Sequence, residues 1–193
     1  MNIDFTVKES KIIDGLKIII PSVTNDSRGN IWTSFLKDKI DHLLPKELSF
    51  KHDKFSFSEN NVLRGIHGDH KSWKLVTCVY GEVHQVVVDL RKDSPSYQLW
   101  EKFIINKKNQ VLILIPPSLG NAYYVSSDQA VYHYKLAYSG EYIDAKDQFT
   151  YKWNDENLKI DWPITDIERT QILISKKDSE APLMSQISSK DLF

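Results

Sequence analysis

The stretch Asn61-Val62-Leu63-Arg64-Gly65-Ile66-His67-Gly68-Asp69-His70-Lys71-Ser72-Trp73-Lys74-Leu75-Val76 decides how the chain is read. It opens and closes as apolar strand, and its middle carries an arginine, two histidines, an aspartate and two lysines. Gly65 and Gly68 flank Ile66 and His67, and glycine permits a turn or a close backbone approach there. In plain strand alternation Arg64 and Ile66 face one way and His67 the other, subject to a bulge at Gly65. An imidazole in this setting can move protons near neutral pH. Lys74, at the start of the next strand, can hold a developing negative charge beside it. A polar turn residue and a solvated strand end are the simpler readings of these two side chains, so the rest of the chain has to decide.

The 193 residues fit one domain with a core that needs no staples. Net charge is -1, from 25 basic and 26 acidic residues, which argues against nucleic-acid or membrane-surface partners. Cys78, the only cysteine, sits in an apolar strand and reads as a small hydrophobe. No apolar run approaches the roughly 20 residues of a membrane span, and Met1-Asn2-Ile3-Asp4-Phe5 lacks a signal-peptide pattern. The expected location is the cytoplasm.

Leu16–Ile20 reads as a strand closed by Pro21, and Asp26-Ser27-Arg28-Gly29 as a turn. Phe35–Leu44 predicts a helix with Leu36, Ile40, Leu43 and Leu44 on one face. From Asn61 the pattern is almost purely β. Lys74–Tyr80 and Glu82–Leu90, separated by Gly81, predict a tight hairpin. Trp100–Ile105 and Val111–Ile115 are strands. Asn121–Ser126 and Gln129–Ala137 predict a further strand pair, with Ala130, Tyr132, Tyr134 and Leu136 sharing one face. Short strands at this spacing indicate an all-β sandwich or barrel.

The polar candidates for its interior are His67, Lys74, His84, Asn121, His133 and Tyr134, with Arg28, His52, Lys54 and Arg64 near the mouth. A metal site is one option, because His67, His70, His84 and His133 lie on or beside strands. The usual barrel site wants two histidines one residue apart and a nearby glutamate, and position 69 is Asp. Metal-free proton transfer is the other option. A histidine and a tyrosine on opposite faces of a carbon next to a carbonyl can invert it, while a cation holds the enolate oxygen.

Several motifs in order then resemble a known family. They include Asn61–His67, Lys74-Leu75-Val76, Gly81-Glu82-Val83, Val88–Pro95, Ile115-Pro116-Pro117, Tyr134-Lys135, Trp153-Asn154-Asp155, Ile160–Pro163 and Ile174–Asp178. Together they resemble the dTDP-4-dehydrorhamnose 3,5-epimerases from about Ile12 to Met184. The resemblance implies a cupin-type β jelly-roll barrel with a few short peripheral helices over residues 1–193, with a loose polar tail from about residue 184. It implies a homodimer, a nucleotide-linked 4-keto-6-deoxy sugar as substrate, and no metal or organic cofactor. Carried over by position, His67 matches the family's base, Asp178 its paired carboxylate, Tyr134 the acid on the opposite face, and Lys74 the group near the enolate oxygen. Arg28 and Arg64 match arginines at the nucleotide sugar.

The departures surround the pocket. Gly68 and Asp69 replace an aromatic residue and a glutamine, Asn121 stands in for a histidine, and His52 and Lys54 stand where Gln and Asn are common. Ile31 and Thr33 replace nucleotide-side residues, and an insertion leaves Tyr138 and Tyr142 as alternatives for a second tyrosine. Lys51–Phe55, Arg64–Asp69, Cys78–Asp89 and Asp147–Tyr151 look like a branch acting on GDP-linked 4-keto heptoses in bacterial capsule synthesis. The rival functions are a nucleotide-sugar 3,4-ketoisomerase, a metal-dependent cupin oxygenase and a non-catalytic carbohydrate-binding barrel.

Overall fold

In the computed structural model, residues 3–186 are described. Two sheets face each other. One has six strands in the order Phe5–Glu9 (β1), Lys17–Pro21 (β2), Leu112–Ile115 (β10), Trp73–Tyr80 (β7), Gln129–Ala137 (β12) and Phe50–Glu59 (β5). The other has five, in the order Phe149–Thr150 (β13), Leu63–Gly68 (β6), Leu119–Val125 (β11), Glu82–Asp89 (β8) and Trp100–Asn106 (β9). Val23–Asp26 (β3) and Gly29–Trp32 (β4) form a separate hairpin. This is the expected jelly roll, and the α-helices among the described residues are short: Lys37–Ile40 (α1), Asp166–Arg169 (α2) and Lys176–Ser179 (α3).

Period-two alternation sorts each strand between layers. Val76 and Cys78 of β7, Ala130 and Tyr132 of β12, Val83 and Val87 of β8, and Tyr123 and Val125 of β11 meet between the sheets. On the outside of the six-stranded sheet, Leu75, Leu112 and Leu114 pack against Ile40 and Leu44. Outside the other sheet, Ile66, Val88 and Tyr124 are covered by Trp153, Leu158, Trp162 and Met184 from the C-terminal segment.

The two predicted hairpins are not hairpins. β7 pairs with β10 and β12, whereas β8 pairs with β9 and β11. The turn at Gly81 therefore carries the chain from one sheet to the other, and Ser126–Asp128 does the same between β11 and β12. Gly81 has φ +79, and a side chain there would collide with the backbone of β12. The predicted helix is also shorter. Leu36 occupies its N-cap without a side-chain acceptor, and α1 tightens after Ile40 into a 3-10 turn at Asp41–Leu43. β1 was not expected from its largely polar sequence; it pairs along β2 from Phe5↔Pro21 to Glu9↔Lys17. Met184–Gln186 form a 3-10 turn with Met184 buried. The expected loose tail beyond residue 186 lies outside the described residues.

β6 departs from simple alternation at Gly65. Arg64 lies opposite Tyr123 and His67 opposite Asn121, so three steps on β6 span two on β11. This bulge turns Arg64 and His67 to one side and buries Ile66 on the other, correcting the expectation that Arg64 and Ile66 share a face. Gly65 has φ +123, and a Cβ there would stand 2.6 Å from Ala122 Cα and 2.7 Å from the Asn121 carbonyl oxygen. Gly65→Ala is expected to destabilise by about 1–3 kcal/mol or more through overpacking, seen as a lowered Tm. Gly140→Ala is the control. Gly140 also has positive φ but meets nothing within 4 Å, so only the left-handed backbone cost of about 1–2 kcal/mol remains.

Candidate active site

At one end of the sandwich the apolar filling gives way to a cavity of about 180 Å³. His67, Lys74, Asn121, Tyr134, Arg64, Lys54 and Tyr142 line it, with Phe55, Ser56, Leu136, Ala145 and Gln148. This is below the roughly 300–1,000 Å³ that encloses a drug-sized ligand, and suits one sugar ring with a larger substituent outside. The strands deliver these groups by register. Lys74 follows the inward phase of Val76 and Cys78, Tyr134 that of Ala130 and Tyr132, and Asn121 that of Tyr123 and Val125.

His67 Nε2 lies 2.6 Å from Asp178 Oδ1. Asp178 is 2% exposed, in the first turn of α3, where its backbone N–H donates to the N-cap Ser175 hydroxyl at 3.1 Å. The segment before α3 runs beside β6, with Leu173 bridging Val62 and exchanging backbone hydrogen bonds with Leu63 and Asn61. Burial alone would raise the Asp178 pKa. Hydrogen bonds from His67, Gly65 N–H and Ser175, with the His67 charge, outweigh it and hold the carboxyl below its ordinary value. An ionised carboxylate only accepts, so neutral His67 carries its proton on Nε2 and keeps Nδ1 as the basic nitrogen.

Lys74 is 5% exposed and faces Asp69 Oδ2 at 3.3 Å. Burial lowers its pKa, and Asp69 opposes that. Asp69 is itself held by the N–H groups of Lys71 and Ser72 at 3.1 and 2.7 Å. Tyr134 is raised well above the usual phenol range by burial and by Tyr123, with Arg64 pulling the other way. It is a neutral donor at physiological pH, and any phenolate formed there has a guanidinium near it. Arg64 is braced by Ser58 Oγ at 3.1 Å and the Phe57 carbonyl at 3.4 Å.

The mouth is aromatic and basic. Lys54 donates to the Tyr142 hydroxyl at 3.3 Å, and His52 Nδ1 lies 3.0 Å from the Tyr138 hydroxyl. The His52 ring also meets Tyr142 edge-on. Tyr142 therefore lines the cavity, and Tyr138 supports it through His52. Lys177, unassigned from sequence, donates to the carbonyls of Ala145 and Gln148 at 2.6 and 3.1 Å. It ties the cavity-lining loop to the helix that bears Asp178.

Not every expected residue gathers here. Arg28 sits on the β3–β4 hairpin, paired with Asp26 at 2.6 Å and largely exposed, beside a separate cleft. Thr33, just beyond β4, is also absent from the cavity lining. Neither lines the cavity, which corrects the expectation that Arg28 lies near its mouth. His133 is on the opposite face of β12 from Tyr134, 2.6 Å from Asp53 and stacked on Phe55. His84 faces Glu82 at 4.0 Å, and His70 lies 3.3 Å from Ser118 Oγ. Among the described residues no three His, Cys, Asp or Glu side chains group as a metal site. The pairing of Asp69 with Lys74 and the loop tie made by Lys177 were missed, because a counter-ion and a loop tie leave no pattern of their own in sequence. Gln148, which lines the cavity, lies within the Asp147–Tyr151 motif.

The family model for dTDP-4-dehydrorhamnose 3,5-epimerase matches residues 10–186. The dTDP-4-dehydrorhamnose 3,5-epimerase of Salmonella typhimurium is 32% identical over 177 residues, covering 90% of this chain and 93% of the relative. That of Escherichia coli is 34% identical over 169 residues, covering 86% and 88%. The crystal structure of the Legionella pneumophila dTDP-6-deoxy-D-glucose-3,5-epimerase, in complex with dTDP-4-keto-L-rhamnose, superposes with a TM-score of 0.86 at 33% identity, covering 98% and 97%. A 4-keto-6-deoxy sugar epimerase of Streptomyces spheroides gives 0.83 at 29% identity, covering 95% and 89%. Because the matched region runs through every strand from β2 to β13, this chain belongs to the dTDP-4-dehydrorhamnose 3,5-epimerase family and is an epimerase of the isomerase class.

Proposed function

We propose that this jelly-roll domain inverts C3, C5 or both of a nucleotide-linked 4-keto sugar by removing and returning a proton next to the ketone. The observation that carries the reading is that His67, Tyr134 and Lys74 line one cavity, with Asp178 behind His67. His67 takes the proton through Nδ1, and Asp178 stabilises the imidazolium. Lys74 and Asn121 hold the enolate oxygen. Tyr134, half-buried and kept protonated by its desolvated setting, delivers a proton from the other face. No step requires a metal or organic cofactor. Arg64, Lys54, His52 and Tyr142 hold the sugar and its diphosphate at the mouth.

The substrate we favour is a GDP-linked 4-keto heptose of capsule or surface polysaccharide synthesis. Its support is the resemblance of Lys51–Phe55 and Cys78–Asp89 to that branch, together with the altered cavity residue Asn121 and with Asp69, which pairs with Lys74 in the cavity wall. A dTDP-linked 4-keto-6-deoxyhexose is the second reading, favoured by the names of the relatives. The cytoplasm is the compartment we assign, in keeping with a lone free cysteine.

We also propose a homodimer built on β5. This ten-residue strand is the outer edge of its sheet, with Phe55 62% and Phe57 55% exposed. Such an edge is a template for pairing. In a dimer Arg28 and Thr33, off the cavity in their own chain, reach the nucleotide bound to the second copy. Phe57→Glu is expected to yield monomers by analytical ultracentrifugation; an unaltered dimer would move the interface elsewhere.

Incubation in D₂O with GDP- and dTDP-linked 4-keto sugars tests the chemistry. Deuterium is expected at C3, C5 or both, and a shifted ketone would instead mark the ketoisomerase. His67→Asn is expected to lose about 10²–10⁴-fold in rate; an unchanged rate contradicts the assignment. Tyr134→Phe is expected to keep exchange at the face served by His67 while losing inverted product.

Asp178 also sets a pH dependence. A carboxyl lowered in the folded state stabilises above its unfolded pKa near 3.9, and loses that contribution as pH falls through the lower folded value. The stability gap between the wild type and Asp178→Asn is therefore expected to be full at neutral pH and to narrow below about pH 4. A gap constant with pH, measured by urea unfolding, refutes this.

A further inference from the structure

Behind the cavity wall lies a closed polar cluster that the mechanism above does not use. Gln85 is 0% exposed and Tyr132 0% exposed, among otherwise apolar side chains. A buried amide in such a place must satisfy its hydrogen bonds, and the partners here dictate its orientation. Gln85 Nε2 lies 3.3 Å from the Val86 carbonyl, which can only accept, so that end of the amide donates. Its Oε1 then accepts from the Tyr132 hydroxyl. The second Nε2 hydrogen donates to Asn121 Oδ1. Asn121 thus has its carbonyl end turned inward, toward Gln85. With its oxygen taken by Gln85, Asn121 has its Nδ2 hydrogens left for the cavity that it lines. Asn121 stands directly opposite His67 in the β6–β11 ladder, so an N–H is presented beside the base.

We infer that Gln85, held by Tyr132 and the Val86 carbonyl, is a positioning residue that locks the Asn121 amide with an N–H aimed at the enolate oxygen. A free asparagine offers either its oxygen or its nitrogen to a ligand, and the oxygen end would repel an enolate. The lock removes the wrong orientation before substrate arrives, which is the preorganisation that makes such donors effective. The inference rests on the epimerase reading.

The test measures kcat, KM and deuterium uptake from D₂O in a double-mutant cycle. Asn121→Leu removes the donor and is expected to lower kcat by about 10²–10³-fold with little change in KM. Gln85→Met keeps the volume but frees the amide, and is expected to lower kcat by about 10–100-fold, the scale of a lost outer-shell partner. The decisive result is non-additivity. In the Asn121→Leu background, Gln85→Met is expected to cost nothing further, because it acts only through the missing amide. Tyr132→Phe, which keeps the ring and removes the hydroxyl, is expected to show the same pattern and serves if Gln85→Met does not fold. Effects that multiply, a Gln85→Met kcat equal to wild type, or an Asn121→Leu change confined to KM overturn the inference. A wild type that takes up no deuterium instead overturns the epimerase reading.

Discussion

The close approach of β6 to β11 at Gly65 is the constraint on which the site depends. The backbones come so near that only a residue without a side chain fits against Ala122 and the Asn121 carbonyl. The extra residue accommodated there rotates the second half of β6 relative to the first. Without it, His67 and Arg64 would occupy opposite faces, and Ile66 would be lifted from the layer it shares with Val88 and Tyr124. One backbone irregularity thus serves the outer core and the cavity together. The Gly65 N–H, 3.4 Å from Asp178 Oδ2, even helps to hold the carboxylate that backs the histidine.

Around that point three titratable groups are set in different protonation states by their surroundings. Asp178 stays ionised because donors converge on it. Tyr134, half-buried beside another phenol, stays neutral because its surroundings exclude much of the water a phenolate would need. Lys74 is pushed toward the neutral form by burial and drawn back by Asp69. Pairs of groups driven apart in this way mark acid and base roles more reliably than residue type does.

Strand identity and facing were legible in the sequence, because a period of two survives in β7, β11 and β12 whatever they pair with. Pairing partners were not. The links at Gly81 and at Ser126–Asp128 are as short as hairpin loops, yet each crosses between sheets. Loop length constrains where a strand can begin, and says little about which sheet it joins when two sheets face each other closely. The cavity residues His67, Lys74, Asn121 and Tyr134 could be read because each sits on a strand at an inward phase or matches a motif by position. Arg28 and Thr33 could not be placed in the same way: both fall on or beside the β3–β4 hairpin, outside the two large sheets, where strand phase gives no direction toward the cavity. The partners of partners, Asp69, Lys177 and Gln85, become visible only when distant strands are brought together.

Cys78 sits among Val76, Tyr132 and Ile113, and burial pushes its thiol up to about 11. At neutral pH almost none of it is thiolate, and it is only 3% exposed. Native protein is therefore nearly silent toward maleimides and other alkylating probes. One cysteine introduced on the surface, for example in the exposed β3–β4 hairpin, becomes the sole labelling site, and a fluorophore or spin label can be attached there without first deleting a native residue.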